Sequence, residues 1–183
     1  MENLFNTLID IISKSIEAIE STYFNFPVAG IDGSNEIARE RVYCSELYHQ
    51  IRIRIGGFPY TVNTEPNKTG HKVIEKQCGA IDPDLIIHKP GFMEKDSNLA
   101  IIEVKRSCGD LTEGLIKDLK TIKCMTTISN GYFGGIIIVF GELTSQKRTN
   151  LINRIKEKKS EDTKKLVLIL HSKINTKPEI IEI

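Results

Sequence analysis

Ile81-Asp82-Pro83-Asp84-Leu85-Ile86-Ile87-His88, a turn at Lys89-Pro90-Gly91, and then Leu99-Ala100-Ile101-Ile102-Glu103-Val104-Lys105 is the stretch that decides how this chain folds. Each half is an apolar run of strand length, and the Pro-Gly between them lets the chain double back. Side chains alternate along a strand, so Ile101, Glu103 and Lys105 share one face while Ile102 and Val104 share the other. An acid and a base in the middle of an apolar strand are costly to bury unless something pairs with them. A hard divalent cation compensates a carboxylate, and a hairpin partner opened by Asp84 would bring a second carboxylate beside Glu103. Two oxygen ligands plus a substrate phosphate is a usual way of holding Mg2+, which keeps several of its waters. Such an ion polarises a phosphodiester and lowers the pKa of the attacking water.

Outward from this hairpin, apolar spacing predicts the remaining elements. Leu4, Leu8, Ile11, Ile12, Ile16 and Ile19 recur at three and four residues, the mark of a long amphipathic helix from Glu2 to Thr22. A loop with Pro27, Gly30 and Gly33 follows, and Ser34 or Asn35 can cap a second helix from about Glu36 to Arg52, stopped by Gly56-Gly57. Strands are predicted at Tyr60 to Thr64, Lys72 to Lys76, Asp84 to His88 and Leu99 to Lys105. A helix from Leu111 to Met125 carries Leu111, Leu115, Leu119 and Ile122 at helical spacing. Tyr132 to Phe140 is apolar at nearly every position, as an interior strand covered on both faces must be. A basic helix from Ser145 to Lys158 and a strand from Lys165 to His171 complete the order. The expected architecture is α/β, a mixed central sheet with helices on both sides and an extra N-terminal helix on the outside.

The chain has 183 residues, 40% of them hydrophobic, with 25 Lys and Arg against 24 Asp and Glu. That length predicts a single domain over residues 1–183, with the N-terminal helix and loop in 1–33 and the core in 34–183. The composition excludes wholesale disorder, collagen and coiled coil, and the near-zero net charge excludes coating nucleic acid by bulk charge. Cys44, Cys78, Cys108 and Cys124 stand far apart with no CxxC, so they read as reduced thiols of a cytoplasmic protein, not a zinc site or disulfide framework. The N-terminus has no basic n-region, and the apolar runs fall short of the roughly 20 residues that span a bilayer. A cytoplasmic, soluble protein with no membrane partner is the expectation.

Pro83-Asp84, an 18-residue spacer and Glu103-Val104-Lys105 resemble the PD-(D/E)xK signature of the restriction-endonuclease-like phosphodiesterases, a superfamily that includes junction resolvases and recombination exonucleases. The resemblance runs over roughly Glu36 to Phe140, in the family's order of helix, three strands, helix and buried strand. It implies a restriction-endonuclease-like fold and a metal-dependent nuclease, acting most naturally on DNA and leaving a 5′-phosphate. Carried over, Asp84 and Glu103 bind Mg2+, or Mn2+ as a substitute, the Val104 carbonyl is a third ligand, and Lys105 orients or activates the water. The alternative from another class is an inactive nuclease-fold subunit that binds nucleic acid or a protein partner in a defence or repair complex.

Many relatives supply a further carboxylate from the helix before the strands, and here Glu40 and Glu46 compete. At about 100° per residue, Ile37, Cys44, Leu47, Tyr48 and Ile51 form one stripe, with Glu40 inside it and Glu46 nearly opposite Ile37, facing solvent. Glu40 is therefore the expected accessory ligand, direct or through a metal-bound water. His71, His88, Asp82 and Glu65 are weaker candidates, better explained as strand-end or loop residues. Lys68 and Lys72, in a polar hairpin tip, and Lys117 and Lys120, off the apolar stripe of the helix after the motif, are candidate phosphate contacts. Lys123 belongs with the latter pair, whereas the basic residues of the late helix read as a solvated face. The amphipathic N-terminal helix could serve a homodimer as easily as a core.

Overall fold

The computed structural model describes residues 1–27, 36–37, 39–64, 76–79, 81–92, 94–107, 112–163 and 165–183. Its centre is a six-stranded sheet in the order β3-β4-β5-β6-β7-β8. The chain reaches it through helix α1 (Glu2–Glu17), the short helix α2 (Ser21–Phe24), a small hairpin of β1 (Phe26–Pro27) and β2 (Glu36–Ile37), and helix α3 (Glu40–Arg54). Then come β3 (Thr61–Thr64), β4 (Leu85–His88), β5 (Asn98–Arg106), helix α4 (Thr112–Thr127), β6 (Gly134–Phe140), helix α5 (Ser145–Lys158), β7 (Leu166–His171) and β8 (Glu179–Glu182). Strands β3, β4 and β5 form an antiparallel meander. Strands β5, β6 and β7 run parallel, and β8 returns antiparallel on β7.

Parallel neighbours need crossovers, and α4 and α5 provide them. Successive crossovers of one hand, stepping the same way along a sheet, deliver their helices to the same face. Leu115, Leu119, Ile122 and Met125 of α4 and Leu151 and Ile155 of α5 accordingly pack on Ile101, Ile137, Val139 and Leu168. The opposite face is covered by α1 and α3, whose Phe5, Leu8, Ile12, Tyr43, Leu47 and Ile51 pack on Ile102, Val104, Ile136, Ile138 and Ile169. The alternation read along β5 therefore holds, with Ile102 and Val104 in one core and Ile101 in the other. Covered on both faces, β6 is buried at every position, an interior strand between β5 and β7 as its composition requires.

The paired glycines that open β6 belong to this sandwich. A Cβ on Gly134 would stand 2.7 Å from the Phe5 ring, and one on Gly135 would collide with the Ile122 side chain. Helices on both faces approach the strand too closely there for any larger residue.

Several boundaries move. The first helix ends at Glu17 instead of Thr22, although Ile19 beyond it is still fully buried. The second begins at Glu40 instead of Glu36, because Glu36 and Ile37 pair with Pro27 and Phe26 as β2. Its N-cap is Arg39, and the expected caps Ser34 and Asn35 lie outside the described residues. Of the strand expected over Lys72 to Lys76, only Lys76 is described, and it is helical. Strand β8 was not expected. Its Glu-Ile-Ile-Glu is short and half polar, and an edge strand buries too little to leave an apolar run.

The thiols need a correction. Cys78 and Cys124 form a disulfide, with Cα atoms 5.8 Å apart, where reduced cysteines were expected. Spacing alone conceals this pair, because 46 residues separate them and only the packing of α4 beside the segment leading to β4 brings them together. Cys44 is not disulfide-bonded. Among the described residues, no helix is long and apolar enough to cross a membrane. The apolar face of α1 is buried in the core.

Candidate active site

The antiparallel ladder of β4 and β5 ends at the pair Leu85 and Ile102. One step further, Asp84 stands opposite Glu103, and opposite residues of an antiparallel pair project to the same face. The Asp84 side chain then takes over from the ladder: its Oδ2 accepts the Val104 backbone N–H at 2.7 Å. In return the Asp84 backbone N–H donates to the Glu103 carboxyl, and the two carboxyl groups share a hydrogen bond. Two acids 19 positions apart in sequence are thus held side by side by strand pairing and by their own hydrogen bonds.

Lys105, one alternation further along β5, reaches into the same cluster. Its Nζ lies 3.4 Å from Asp118 Oδ2, on α4, and 3.9 Å from Glu40 Oε2, in the first turn of α3. Glu40 also accepts the Arg106 N–H at 3.1 Å, so the helix start is fastened to the end of β5. Four carboxylates from four elements surround one ammonium. Asp84 and Glu40 also border a cleft of about 420 Å³, lined further by Arg41, Cys44, Ser45 and Thr64. A second concavity of about 440 Å³, walled by Tyr48, His49, Arg52 and Ile53 at the far end of α3, contains none of these acids.

Burial sets the protonation of the cluster. Glu103 is 5% exposed, and desolvation, reinforced by Asp118 and Asp84, pushes its carboxyl up to about 9. Burial also raises Asp84, against the pull of the Val104 N–H and Lys105. Asp118, likewise desolvated, rises to about 6 although Lys105 draws it down. Lys105 goes the other way: burial alone would lower its pKa, but Asp118, Glu40, Asp84 and Glu103 together hold it above its ordinary value. The ammonium is thus a permanent donor, and one acid of the Asp84–Glu103 pair keeps a proton at neutral pH for want of further positive charge.

Of the expected residues, Asp84, Glu103, Lys105 and Glu40 come together. The reasoning for Glu40 needs amending. It is about half exposed and not set in an apolar stripe, because Ile37, on which that stripe was built, lies outside the helix. The buried face runs through Tyr43, Leu47 and Ile51, and Glu40 overhangs its end. Glu46 was expected in solvent and is buried, its Oε1 accepting the Gln50 Nε2 at 2.6 Å. The cause is that α1 and α2 pack against α3 beside the sheet, which widens its covered face. Glu46 remains a structural acid away from the cluster.

His88 pairs through Nε2 with Asn63 Oδ1 at 2.9 Å, at the β3 side of the sheet. Asp82 precedes β4 in irregular chain. Lys117 and Lys120 are exposed on α4, and Lys123 pairs with Asp162 at 3.7 Å. Lys68, Lys72, Glu65 and His71 lie outside the described residues. Asp118 was not anticipated, yet the signal was present: it falls three residues after Leu115 and four before Ile122, inside the apolar stripe of its helix.

The donor set can be tested against a divalent cation. Among the described residues, no three His, Cys, Asp or Glu side chains form a ligand group by themselves. Asp84 and Glu103 offer two hard, desolvated oxygen donors side by side, which is the partial set that Mg2+ takes when substrate phosphate and water complete its shell. The residues fit such an ion.

The fold and the cluster define a mixed α/β protein with an acid-and-lysine site at one end of its parallel strands. No protein-family model and no curated protein matches the chain. Among solved structures, it is similar to the central domain of yeast acetyl-CoA carboxylase, at a TM-score of 0.41 and 10% identity, over 98% of this chain and 32% of that chain. The chain spans about a third of that structure.

Proposed function

We propose that this chain is a Mg2+-dependent phosphodiesterase that cleaves DNA, on a restriction-endonuclease-like core running from α3 to β7. The observation that carries the reading is the pairing of Asp84 with Glu103 across β4 and β5, with Lys105 next along the same face. The order of α3, the antiparallel meander, α4 and a parallel β6 supports the fold assignment. Asp84, Glu103 and the Val104 carbonyl would hold Mg2+, with Mn2+ as a substitute. When bound, the ion supplies Lewis-acid polarisation of the phosphodiester and a more acidic water.

The chain's own residues do the rest. Lys105, held as an ammonium, cannot accept a proton. It donates to the attacking oxygen or to the phosphoryl oxygens, where negative charge grows as water adds in line. Glu40, on the cleft side, is placed to accept a hydrogen bond from a water and to orient it. Lys117 and Lys120, exposed on α4 after the motif, offer charge to flanking phosphates.

The test incubates purified protein with linear, supercoiled and single-stranded DNA and Mg2+ or Mn2+, beside Lys105→Ala. The expected result is cleavage leaving 5′-phosphate ends in the wild type and none in the variant. No cleavage of any substrate would favour the binding subunit instead, and cleavage surviving Lys105→Ala would point to a contaminant.

A further inference from the structure

Asp118 is 3% exposed, and its Oδ2 lies 3.4 Å from Lys105 Nζ. This contact is an ion pair. A buried ion pair seldom repays its desolvation, so this pair is a poor structural element. What α4 does at this point is confine one side chain. Gly114, one turn before Asp118, lies against the stem of Lys105, its Cβ position 3.6 Å from Cε. The stem thus runs along Gly114 and its head is met by Asp118. On the other side stands Glu40, 3.9 Å from Nζ and half in solvent. Lys105 has two anchors, one buried on α4 and one at the cleft on α3. Without the buried one, its flexible four-carbon stem is free to carry the ammonium towards Glu40 at the cleft and off the α4 side of the cluster.

We infer that Asp118 is a positioning residue that holds the Lys105 ammonium beside the Asp84–Glu103 pair. Its consequence for catalysis rests on the nuclease reading, whereas the placement of Lys105 does not. The groups facing Lys105 are Glu40 from α3, Asp84 from the start of β4, Glu103 from β5 and Asp118 from α4.

The test has one arm without metal or substrate. In the 15N-labelled full chain at neutral pH, an ammonium held in a buried pair exchanges slowly and gives a visible 15N–1H signal, identified for Lys105 by its loss in Lys105→Arg. Asp118→Asn should remove that signal, and Asp118→Glu should restore it at a shifted position. In the second arm, Asp118→Asn should lower kcat for DNA cleavage about 10²-fold, the scale of a misplaced catalytic group, with KM unchanged, and Asp118→Glu should recover part of the loss. The inference is overturned if Asp118→Asn keeps both the signal and kcat, or raises KM alone. Should Asp118→Asn fail to fold, Asp118→Glu decides: an unshifted signal and wild-type kcat would sink the idea. If the wild type cuts no nucleic acid, the nuclease reading falls and the ammonium signal alone judges the placement of Lys105.

Discussion

Two buried polar clusters lie back to back across the parallel strands, and they are built on opposite principles. On the face covered by α1 and α3, the Tyr43 hydroxyl and His171 Nδ1 share a hydrogen bond at 3.0 Å. Tyr43 stacks on Phe140 and Phe24 meets His171 edge-on, so the pair is wrapped in aromatic surface. Burial lowers His171 to about 4, which keeps it neutral, and Tyr43 is raised and equally neutral. On the face covered by α4, Asp84, Glu103 and Asp118 crowd one ammonium and stay under-compensated. The first cluster minimises charge. The second carries more acid than its fold neutralises, the kind of arrangement on which the proposed metal site rests.

The sharpest way to break the comparison is to neutralise an acid. Glu103→Gln should abolish cleavage, by about 10³-fold or more, in line with loss of a central electrostatic group. The same change should stabilise the metal-free protein near pH 8 by roughly 1–4 kcal/mol, the range found when buried ions are replaced by neutral groups. Thermal melts beside cleavage assays would check both, and a loss of stability together with activity would show that Glu103 is a structural residue.

The pH dependence should differ between the clusters. Glu103 has a folded pKa of about 9, above its ordinary 4.5, so its contribution is full below pH 4.5 and lost as pH climbs towards 9. His171 is depressed from 6.5 to about 4, so its contribution is present above pH 6.5 and lost as pH falls towards 4. Melting temperature against pH in chelator should decline on both limbs, and Mg2+ should lift only the alkaline one. An alkaline limb unchanged in Glu103→Gln would refute the assignment.

A smaller effect is expected on the neutral side. Tyr43→Phe removes the hydroxyl that pairs with His171 Nδ1. The cost should be about 1–3 kcal/mol in denaturant unfolding, with cleavage rate untouched. Smallest of all, Lys120→Ala should change stability by less than about 0.5 kcal/mol. It should reduce the salt dependence of DNA binding by about one counterion.

The legible part of the molecule was the part written in short-range periodicity. Strand β6 announced itself through unbroken apolar residues, and Asp84, Glu103 and Lys105 through charges inserted into apolar strands. Glu40 and Glu46 were read from a stripe anchored on Ile37, which lies in β2 outside the helix, and Glu46 is covered because α1 and α2 also pack against α3. Asp118 sat in its stripe but was passed over, since its partner lies on a different element. The disulfide and β8 depend on tertiary packing and edge position, which no local pattern records.

The Cys78–Cys124 bond also has a topological meaning. Asp84, Glu103, Lys105 and Asp118 all lie between the two cysteines, inside one covalent ring. Closing a ring of that size removes about 4 kcal/mol of chain entropy from the denatured state in the loop-closure account. Tyr43 and His171 lie outside it. A protease that cuts once within the ring would open a strand or loop yet release no fragment, so the four residues stay tethered through a nick and return to one another when the chain recompacts.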